Sequence, residues 1–531
     1  VQSWPVRSTE KKINNINKEY SGGVFINLRK VISGTGLSRV FGLIRDISTT
    51  NLLGASIFHD IFVICLKIPN LFRRFFAEGA FNQAFIPIYS DYEKENNSDS
   101  TFEFLNSLAG ILITTLFIFT LIVLIFAPIF IFIFAPGFYF DPVKKDLAIN
   151  VLRIMFPYLA LISLVAFAGG IQNTHKRFSI PAYTPVFFNL SLIIAAVAIA
   201  PKYEMPIYVL AWGVLLAGIV QLLIQILPLW RINRLPIPRL NFNNPGIKKF
   251  FRLIVPAVLA GGIIQINLLI DTIFASLLET GSPTWLYISD RLIQFPMGIF
   301  AIAIGTVLLP TLSKFDLNHE KDKFIAGIQK GQKFVLYIGL PSLIGLFFCA
   351  EDLISTIFYR GAFTSMDVIN SSYSLMAFSF GLPFFMLMKV LTPAFFARKD
   401  TKTPMYVALA SLFLNVIFNY YLAFVLDYGH VGIAIGSSLA AIISVLTLEI
   451  VLYRDGFINS KSIINKFSFN VFISSLFLII FLYFYTSEIN FMKLTQVERI
   501  FYLSIEVFAS VVIYFSISRL MLNKPLRFLF D

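Results

Sequence analysis

Three arginines stand where arginine is costly. Arg39, Arg45 and Arg291 lie within or at the end of long apolar runs. A charge near the centre of a bilayer costs at least about 2.5–3.5 kcal/mol on insertion scales, so it faces a wet cavity or a partner. At about 1.5 Å per residue, Arg39 and Arg291 each sit roughly 9 Å inside the outer boundary of their runs. Guanidinium keeps its proton, and its planar fork takes two phosphate oxygens at once. Arginines around a cavity with few acids therefore fit an anionic, phosphate-bearing substrate. The competing reading has Arg45 reaching for the outer interface and Arg291 neutralised by adjacent Asp290. Six residues turn a straight helix by about 600°, so Arg39 and Arg45 share a cavity only if their helix bends.

Other polar residues in the runs carry two readings each. Asp60 either balances an arginine or takes up a proton during a cycle, and Glu78 follows the Arg73–Arg74 pair. Lys67-Ile68-Pro69-Asn70 ends the second run at a proline, where a lysine extends to the cytoplasm; Lys389 reads the same way. Asn267, Asp271, Asn415 and Asn419 offer oxygens to a Na⁺ ion, or hydrogen bonds between helices. No metal site is firmly predicted. Cys65 and Cys349 read as packing residues in apolar runs. The chain contains no P-loop, HExxH, paired-Cys or nucleophile-elbow pattern, and His59, His175, His319 and His430 are scattered. ATP hydrolysis and enzymatic chemistry are therefore not expected.

The elements that position these groups follow from composition. The 531 residues are 57% hydrophobic and 14% charged, with a mean hydropathy of +0.77, which leaves too little polar surface for a soluble chain. Fourteen helices of about 20 apolar residues each would account for the apolar fraction. The apolar runs fall near 24–45, 50–72, 104–135, 147–171, 179–200, 206–229, 250–277, 285–312, 333–350, 369–397, 403–426, 431–453, 467–486 and 499–518. Continuous runs exclude a porin-type barrel, whose strands alternate. Residues 1–22 lack an apolar segment and read as a cytoplasmic tail, not a signal peptide. With both termini inside, 31 of the 43 Lys and Arg fall on the cytoplasmic side, eight on the other and four within runs. The net charge of +13 is thus spread over short loops, and nucleic acid is not an expected partner.

The halves repeat at an offset of 223 residues. Phe85-Ile86-Pro87-Ile88-Tyr89-Ser90 matches Leu308-Leu309-Pro310-Thr311-Leu312-Ser313, and Ile180-Pro181 matches Thr403-Pro404. Six spans per copy predict two parallel lobes, 23–230 and 250–455, joined by a basic cytoplasmic linker, 231–249, with the last two spans in 456–531. Gly34 and Gly36 in the first span, and Pro256, Gly261 and Gly262 in the seventh, are expected to line the cleft between lobes.

Ser38-Arg39-Val40-Phe41-Gly42-Leu43-Ile44-Arg45-Asp46 and the run from Lys67 through Arg73-Arg74 to Phe81 closely resemble the MurJ (MviN) family, lipid II flippases of the MOP transporter superfamily. Asn173 to Pro181, Asp290-Arg291-Leu292 with Phe295-Pro296, and Lys389 to Pro393 with Lys402-Thr403-Pro404 extend the resemblance over about 23–520. The resemblance implies an all-α polytopic fold of fourteen transmembrane helices, with two six-helix lobes and a C-terminal pair that forms a lipid-tail groove. It also implies alternating access, and a cationic cavity that holds the diphosphate and sugar of an undecaprenyl-linked peptidoglycan precursor. Arg39, Arg45 and Arg291 match the cavity arginines, Asp60 and Asp290 the acids beside them, and Arg73 and Arg74 the cytoplasmic basic pair. Glu78, Lys67, Asn70 and Lys389 complete the candidate set. Gln294 stands where relatives often carry an acid, and residues 1–21 have no obvious counterpart.

The implied setting is the bacterial inner membrane. Lipid II and membrane lipids are the implied partners, with other cell-wall synthesis proteins as further candidates. No cofactor is implied; the membrane potential, with Na⁺ or H⁺, would drive the cycle. Rival readings are an exporter of another lipid-linked oligosaccharide, a multidrug antiporter, a lipid-phosphate enzyme and a membrane scaffold. A drug antiporter calls for an acidic cavity, the enzyme lacks metal and nucleophile motifs, and a scaffold has no use for cavity arginines.

Overall fold

The computed structural model describes residues 33–76, 80–95, 97–317, 319–458 and 466–522, and all regular structure among them is helical. Helix α1 covers 33–53. It is followed by α2 (Ile57–Phe76), α3 (Ala80–Lys94), α4 (Ser98–Ile125), α5 (Ala127–Phe134), α6 (Pro136–Tyr139), α7 (Pro142–Met155), α8 (Tyr158–Thr174), α9 (Ser179–Ile194) and α10 (Pro206–Arg231). The second half holds α11 (Pro245–Ser276), α12 (Ser282–Pro296), α13 (Ile302–Leu312), α14 (Lys321–Phe348), α15 (Ala350–Phe358), α16 (Ser365–Ala397), α17 (Lys402–Tyr420) and α18 (Gly429–Arg454). Helices α19 (Lys466–Glu488) and α20 (Gln496–Leu522) close the chain. Eleven of the described helical segments are long and apolar enough to cross a membrane. Helix α2 falls outside that number because Asp60, Lys67, Arg73 and Arg74 lie within its 20 residues. It also runs straight through Pro69 to Phe76, which corrects the expectation that the proline ends the span. One lost backbone bond costs less in hydrocarbon than a broken helix with several orphaned groups.

The 223-residue offset governs whole elements. Adding 223 to the bounds of α4 gives those of α14; the same shift takes 142–174 to α16 and α10 to α18. Helices α5 and α15, and α9 and α17, start in matching register. A π-turn closes the fifth span of each half, at Ala195–Ile199 and Tyr421–Val425. Even the left-handed helix ends repeat: Lys176 (φ 57°) with Lys399 (φ 61°), and Asn233 (φ 52°) with Gly456 (φ 73°). At all four the following N–H reaches five residues back, as in Arg177 to Gln172 (2.9 Å) and Asp400 to Phe395 (3.0 Å). This Schellman closure satisfies carbonyls that the helix end would orphan.

Packing divides the chain into two units. The first holds the described residues up to Thr49, Cys65–Phe130 and Asp146–Gly262; the second holds Thr50–Ile64, Ile131–Lys145 and the described residues from Ile263 on. In the second, Gly54 (φ 61°) and Gly361 (φ 57°) bring two backbones together. A Cβ on Gly54 would collide with the Ala362 carbonyl, and one on Gly361 with that of Asn51. Ala362 N–H donates to that Asn51 oxygen at 2.9 Å. Gly34, expected to line a cleft, instead lets α1 approach α9: a Cβ there would lie 2.9 Å from the Ala182 carbonyl oxygen.

An aromatic ladder fills the core of the first unit. Phe81, Phe85 and Tyr89 stack along α3 at 5.5 and 5.3 Å and meet Phe104 and Phe167. Phe85, Ile88 and Tyr89 of the first copy of the repeated Pro motif are therefore core, while Pro87 is exposed. Beyond it, Glu93 accepts from Arg234 Nε (2.8 Å) and Nη2 (3.3 Å), while Tyr89 Oη and His175 Nε2 lie 2.9 Å apart. Burial opposes the Glu93 charge, but the bonds from Arg234 and Tyr89 outweigh it and hold the carboxyl below its ordinary range. Burial likewise holds His175 low, against the pull of Glu93. Both contributions are present at neutral pH. His175's is lost as pH falls below its unfolded value of about 6.5, and Glu93's as pH falls from about 4.3 through the lower folded value. The protection of the α3 amides, with the intrinsic pH dependence of exchange divided out, is expected to fall from pH 8 to 5. Glu93→Gln should leave α3 fast-exchanging already at pH 8; unchanged protection in that variant would contradict the latch.

Candidate functional site

Arg45 is buried, with 6% of its surface exposed, and its donors are engaged within the first unit. Nε and Nη2 both reach Asp46 Oδ1 (3.0 and 2.6 Å), and Nη1 reaches Asn189 Oδ1 (3.0 Å). Asn189 in turn donates to the Ser38 carbonyl (3.0 Å), and the guanidinium lies 5.7 Å from the Phe188 ring centre. A buried arginine left without a carboxylate would carry several kcal/mol of desolvation penalty, and Asp46 removes most of it. Arg45 thus ties α1 to α9 and does not extend to an interface. Arg39, six residues earlier on α1, is half-buried between exposed Leu37 and Val40. Asp46 and Asn189 are the residues that sequence reasoning missed; the adjacent Arg-Asp pair was the available signal for the first.

Asp60 serves a helix end. Its carboxylate accepts from the backbone N–H of Gly281 (2.7 Å) and Thr284 (3.1 Å) and from Thr284 Oγ1 (2.6 Å). These are orphan donors at the N-terminus of α12, whose own chain supplies no side-chain cap. The charge also meets the positive end of the helix dipole. Because Thr284 gives its single proton to Asp60, the 2.9 Å contact between His59 Nδ1 and Thr284 Oγ1 requires the imidazole to donate. His59, one of the scattered histidines, is therefore part of this cap. The described partners of Asp60 are a helix terminus and not an arginine.

On α12, Arg291 is half-buried and steadied by its own helix: Nε and Nη2 donate to Tyr287 Oη at 3.2 and 2.9 Å, and the guanidinium lies 5.1 Å from that ring's centre. Asp290 is exposed and accepts from Gln294 Nε2 (3.4 Å). Gln294 thus occupies Asp290 where an acid would repel it.

A second polar cluster joins α11, α17 and α18. Asn419 Nδ2 donates to Asp271 Oδ1 (2.8 Å) and Asn415 Oδ1 (3.1 Å); Ser437 Oγ donates to Asp271 Oδ2 (3.2 Å) and accepts from Asn415 Nδ2 (3.1 Å). Asn415 and Asn419 are fully buried, and Asn419 Oδ1 has no hydrogen-bond partner among the described residues. A Cβ on Gly436 would collide with that oxygen, so only glycine leaves it room. Three of the four expected oxygen donors converge here, joined by Ser437. Only the backbone of Asn267 and Arg74 is described, and Glu78 lies outside the described residues. Arg73, Lys67 and Asn70 are half-buried on α2, and Lys389 is exposed on α16.

Asp60→Asn keeps one acceptor, loses the charge and turns an NH₂ toward one of the N–H donors. The expected cost is about 1–2 kcal/mol, the range of a lost N-cap, read as a lower melting temperature. Faster amide exchange confined to residues 281–286 would locate the loss; unchanged exchange there would refute the capping role.

The family profile "Lipid II flippase MurJ" matches residues 49–503. A probable lipid II flippase MurJ of Vibrio cholerae is 39% identical over 429 residues, which is 80% of this chain and 81% of its own. One from Haemophilus influenzae is 35% identical over 494 residues, 90% and 96% of the two chains. The Burkholderia cenocepacia lipid II flippase MurJ is 36% identical over 437 residues, 82% and 84%. Among solved structures, a lipid II flippase MurJ in an inward closed conformation superposes with a TM-score of 0.77 at 26% identity, covering 94% of this chain and 99% of that one. A multidrug MATE transporter of the MOP superfamily shares the fold, with a TM-score of 0.60 at 13% identity, covering 78% and 95%.

Proposed function

The chain belongs to the MurJ family of lipid II flippases, and from that premise we propose that it carries lipid II from the cytoplasmic to the outer leaflet of the inner membrane by alternating access. The observation that carries the mechanism is the unequal state of the arginines. Arg45 is neutralised by Asp46 and held in the core, so it fixes α1. Arg39 is half-buried with no carboxylate bonded to it among the described residues, and Arg291 is half-buried with the Tyr287 phenol among its partners. Each keeps its proton and presents a planar fork, so each is assigned by the family resemblance as a candidate diphosphate ligand. By resemblance Arg73 and Arg74 are assigned to the cavity's cytoplasmic side, with Glu78, Lys67, Asn70 and Lys389 as further candidates. Residues 23–230 and 250–455 form the two lobes, and α19 and α20 carry the undecaprenyl tail. Both termini lie in the cytoplasm.

The function needs no bond-breaking group. Each guanidinium replaces water lost by the diphosphate, and the fork geometry holds it without a proton transfer. Complementation of a flippase-depleted bacterium, read as lipid II exposed on the outer leaflet, tests the assignment. Wild type is expected to rescue, while Arg39→Ala and Arg291→Ala lose rescue at normal expression. Tyr287→Phe should weaken it only severalfold. Rescue by both arginine variants would move the diphosphate elsewhere.

The oxygens of Asp271, Asn415, Asn419 and Ser437 fit a hard monovalent cation, and an Asn419 Oδ1 without a donor is the atom such an ion would answer. We assign Na⁺ to this cluster as the coupling ion, in step with the membrane potential. A ligand that binds only the folded state raises the melting temperature with its concentration. The purified chain should therefore melt higher in NaCl than in choline chloride. Asp271→Asn should abolish that difference; a shift that survives it would exclude the cluster.

A further inference from the structure

Helix α20 is the least buried of the apolar helices: 11% of its most apolar window lies inside the structure. Val497, Phe501 and Phe508 face outward. Its buried stripe is polar, formed by Arg499, Glu506, Tyr514 and Ser518. Tyr514 Oη donates to the Tyr337 carbonyl (2.7 Å) and Ser518 Oγ to Tyr337 Oη (2.8 Å). Arg499 gives Nε to the Phe491 carbonyl (2.8 Å), Nη2 to that of Met492 (3.2 Å), and Nη1 to those of Tyr359 (3.1 Å) and Ser355 (3.4 Å). The last two are carbonyls at the C-terminal end of α15, where a cation suits both the orphaned acceptors and the dipole.

Seven residues on, Glu506 comes to the other end of α15 and faces Asp352 and the Cys349 thiol. An acid near a helix N-terminus is favourable; two side by side in apolar surroundings are not. Glu506 is fully buried, and neither of its oxygens has a hydrogen-bond partner among the described residues; Asp352 Oδ2 has none either. Cys349 packs into the cluster of Ile344, Leu353, Leu478 and Leu482. Two neighbouring buried carboxylates cannot both stay charged, so something positive must stand between them.

A metal ion would need about six oxygens, and these aliphatic neighbours offer none. A proton needs only the two carboxylates. The other titratable groups facing the pair are Glu351 on α15, Cys349 at its N-cap, and Tyr485 from α19. Arg360 binds the Thr356 and Ile357 carbonyls, and Arg499 is committed as above, so neither guanidinium donates to the pair. Burial, and then the charges of Glu506 and Glu351, raise the Asp352 carboxyl above its ordinary range, in keeping with the geometry.

We propose that Asp352 and Glu506 share one proton, forming a proton-binding site that fastens α20 to α15. The shared O–H···O⁻ bond is the charge-assisted kind, stronger than a neutral one. When the proton leaves to water, two carboxylates remain without donors, and their repulsion releases this end of the contact. Arg499 on one side and Tyr514 and Ser518 on the other still hold α20, so the stretch between them loosens.

The test uses the full chain in lipid nanodiscs and infrared difference spectra during alkaline titration. A protonated-carboxyl C=O band should be present at neutral pH, disappear on alkalinisation, and be missing from both Glu506→Gln and Asp352→Asn. The protection factors of residues 503–513, with the intrinsic pH dependence of exchange divided out, should fall at least tenfold in wild type across the same pH step. In Glu506→Gln, whose amide donates to Asp352 as the proton does, protection should stay unchanged throughout. If the variants do not fold, the coincidence of band loss and exchange in wild type decides alone. A missing band in wild type, a band kept in both variants, or a band removed by NaCl at neutral pH would overturn the proposal, the last in favour of a cation.

Discussion

A helix in hydrocarbon finds no water to answer its ends or its charges, and the rest of this structure depends on how the protein answers them itself. The clearest case is Asp60. It lies on α2, yet its carboxylate supplies the N-cap that α12 lacks, with Thr284 and His59 completing the arrangement. Arg499 does the reverse at the C-terminal end of α15. In each case one charged side chain joins two elements distant in sequence, because a terminus left bare would cost more than the burial of the charge. These are contacts of position and sign, and they hold only in one arrangement of the helices involved.

The same accounting sorts the arginines. A guanidinium in a transporter can be scaffold or receptor, and the difference is whether a protein carboxylate already holds it. Arg45 has Asp46 at 2.6 Å and Asn189 at 3.0 Å, so a ligand phosphate would have to compete with a salt bridge that is already dry. Arg291 is half-buried, and Tyr287 Oη is among the groups that orient its fork.

Much of the fold was legible in the residues. Apolar runs and charge asymmetry report on the bilayer directly, and the 223-residue offset seen at Pro87 and Pro310 proved to carry entire helices with it. What was not legible were interactions made across long sequence separations. Nothing local to Asp60 reveals that it caps a helix 221 residues away, and a lysine next to a proline suggested a helix end that the membrane environment overrode. The oxygen cluster was half legible. Asp271, Asn415 and Asn419 stood out as polar residues in apolar runs, whereas Ser437 and the room left by Gly436 appear only once the helices are packed. Arg45 was legible as costly, and its cost is met by the residue beside it.

The duplication adds a further step. Helix bounds and left-handed ends coincide under the 223-residue shift, so the two copies solve the same backbone problem in the same way. Their charged side chains do not coincide. Under that shift Arg39 falls on Gly262, Arg45 on Leu268 and Asp60 on Pro283, while Arg291 falls on Ile68. Asp271 falls on Ser48, Asn415 on Leu192 and Asn419 on Ala196. Backbone satisfaction is a demand on every membrane helix and keeps the copies alike, whereas a buried charge is tolerated only where it meets a specific partner. The asymmetry therefore separates scaffold from chemistry. The first copy carries the Arg45–Asp46 lock and the carboxylate that caps α12, and the second carries the oxygen cluster and an arginine resting on a phenol. A symmetric pair of lobes would offer two equivalent weak sites. This chain places Arg291 and the Asp271 oxygen cluster at positions that the repeat does not share, so neither has a counterpart in the first copy.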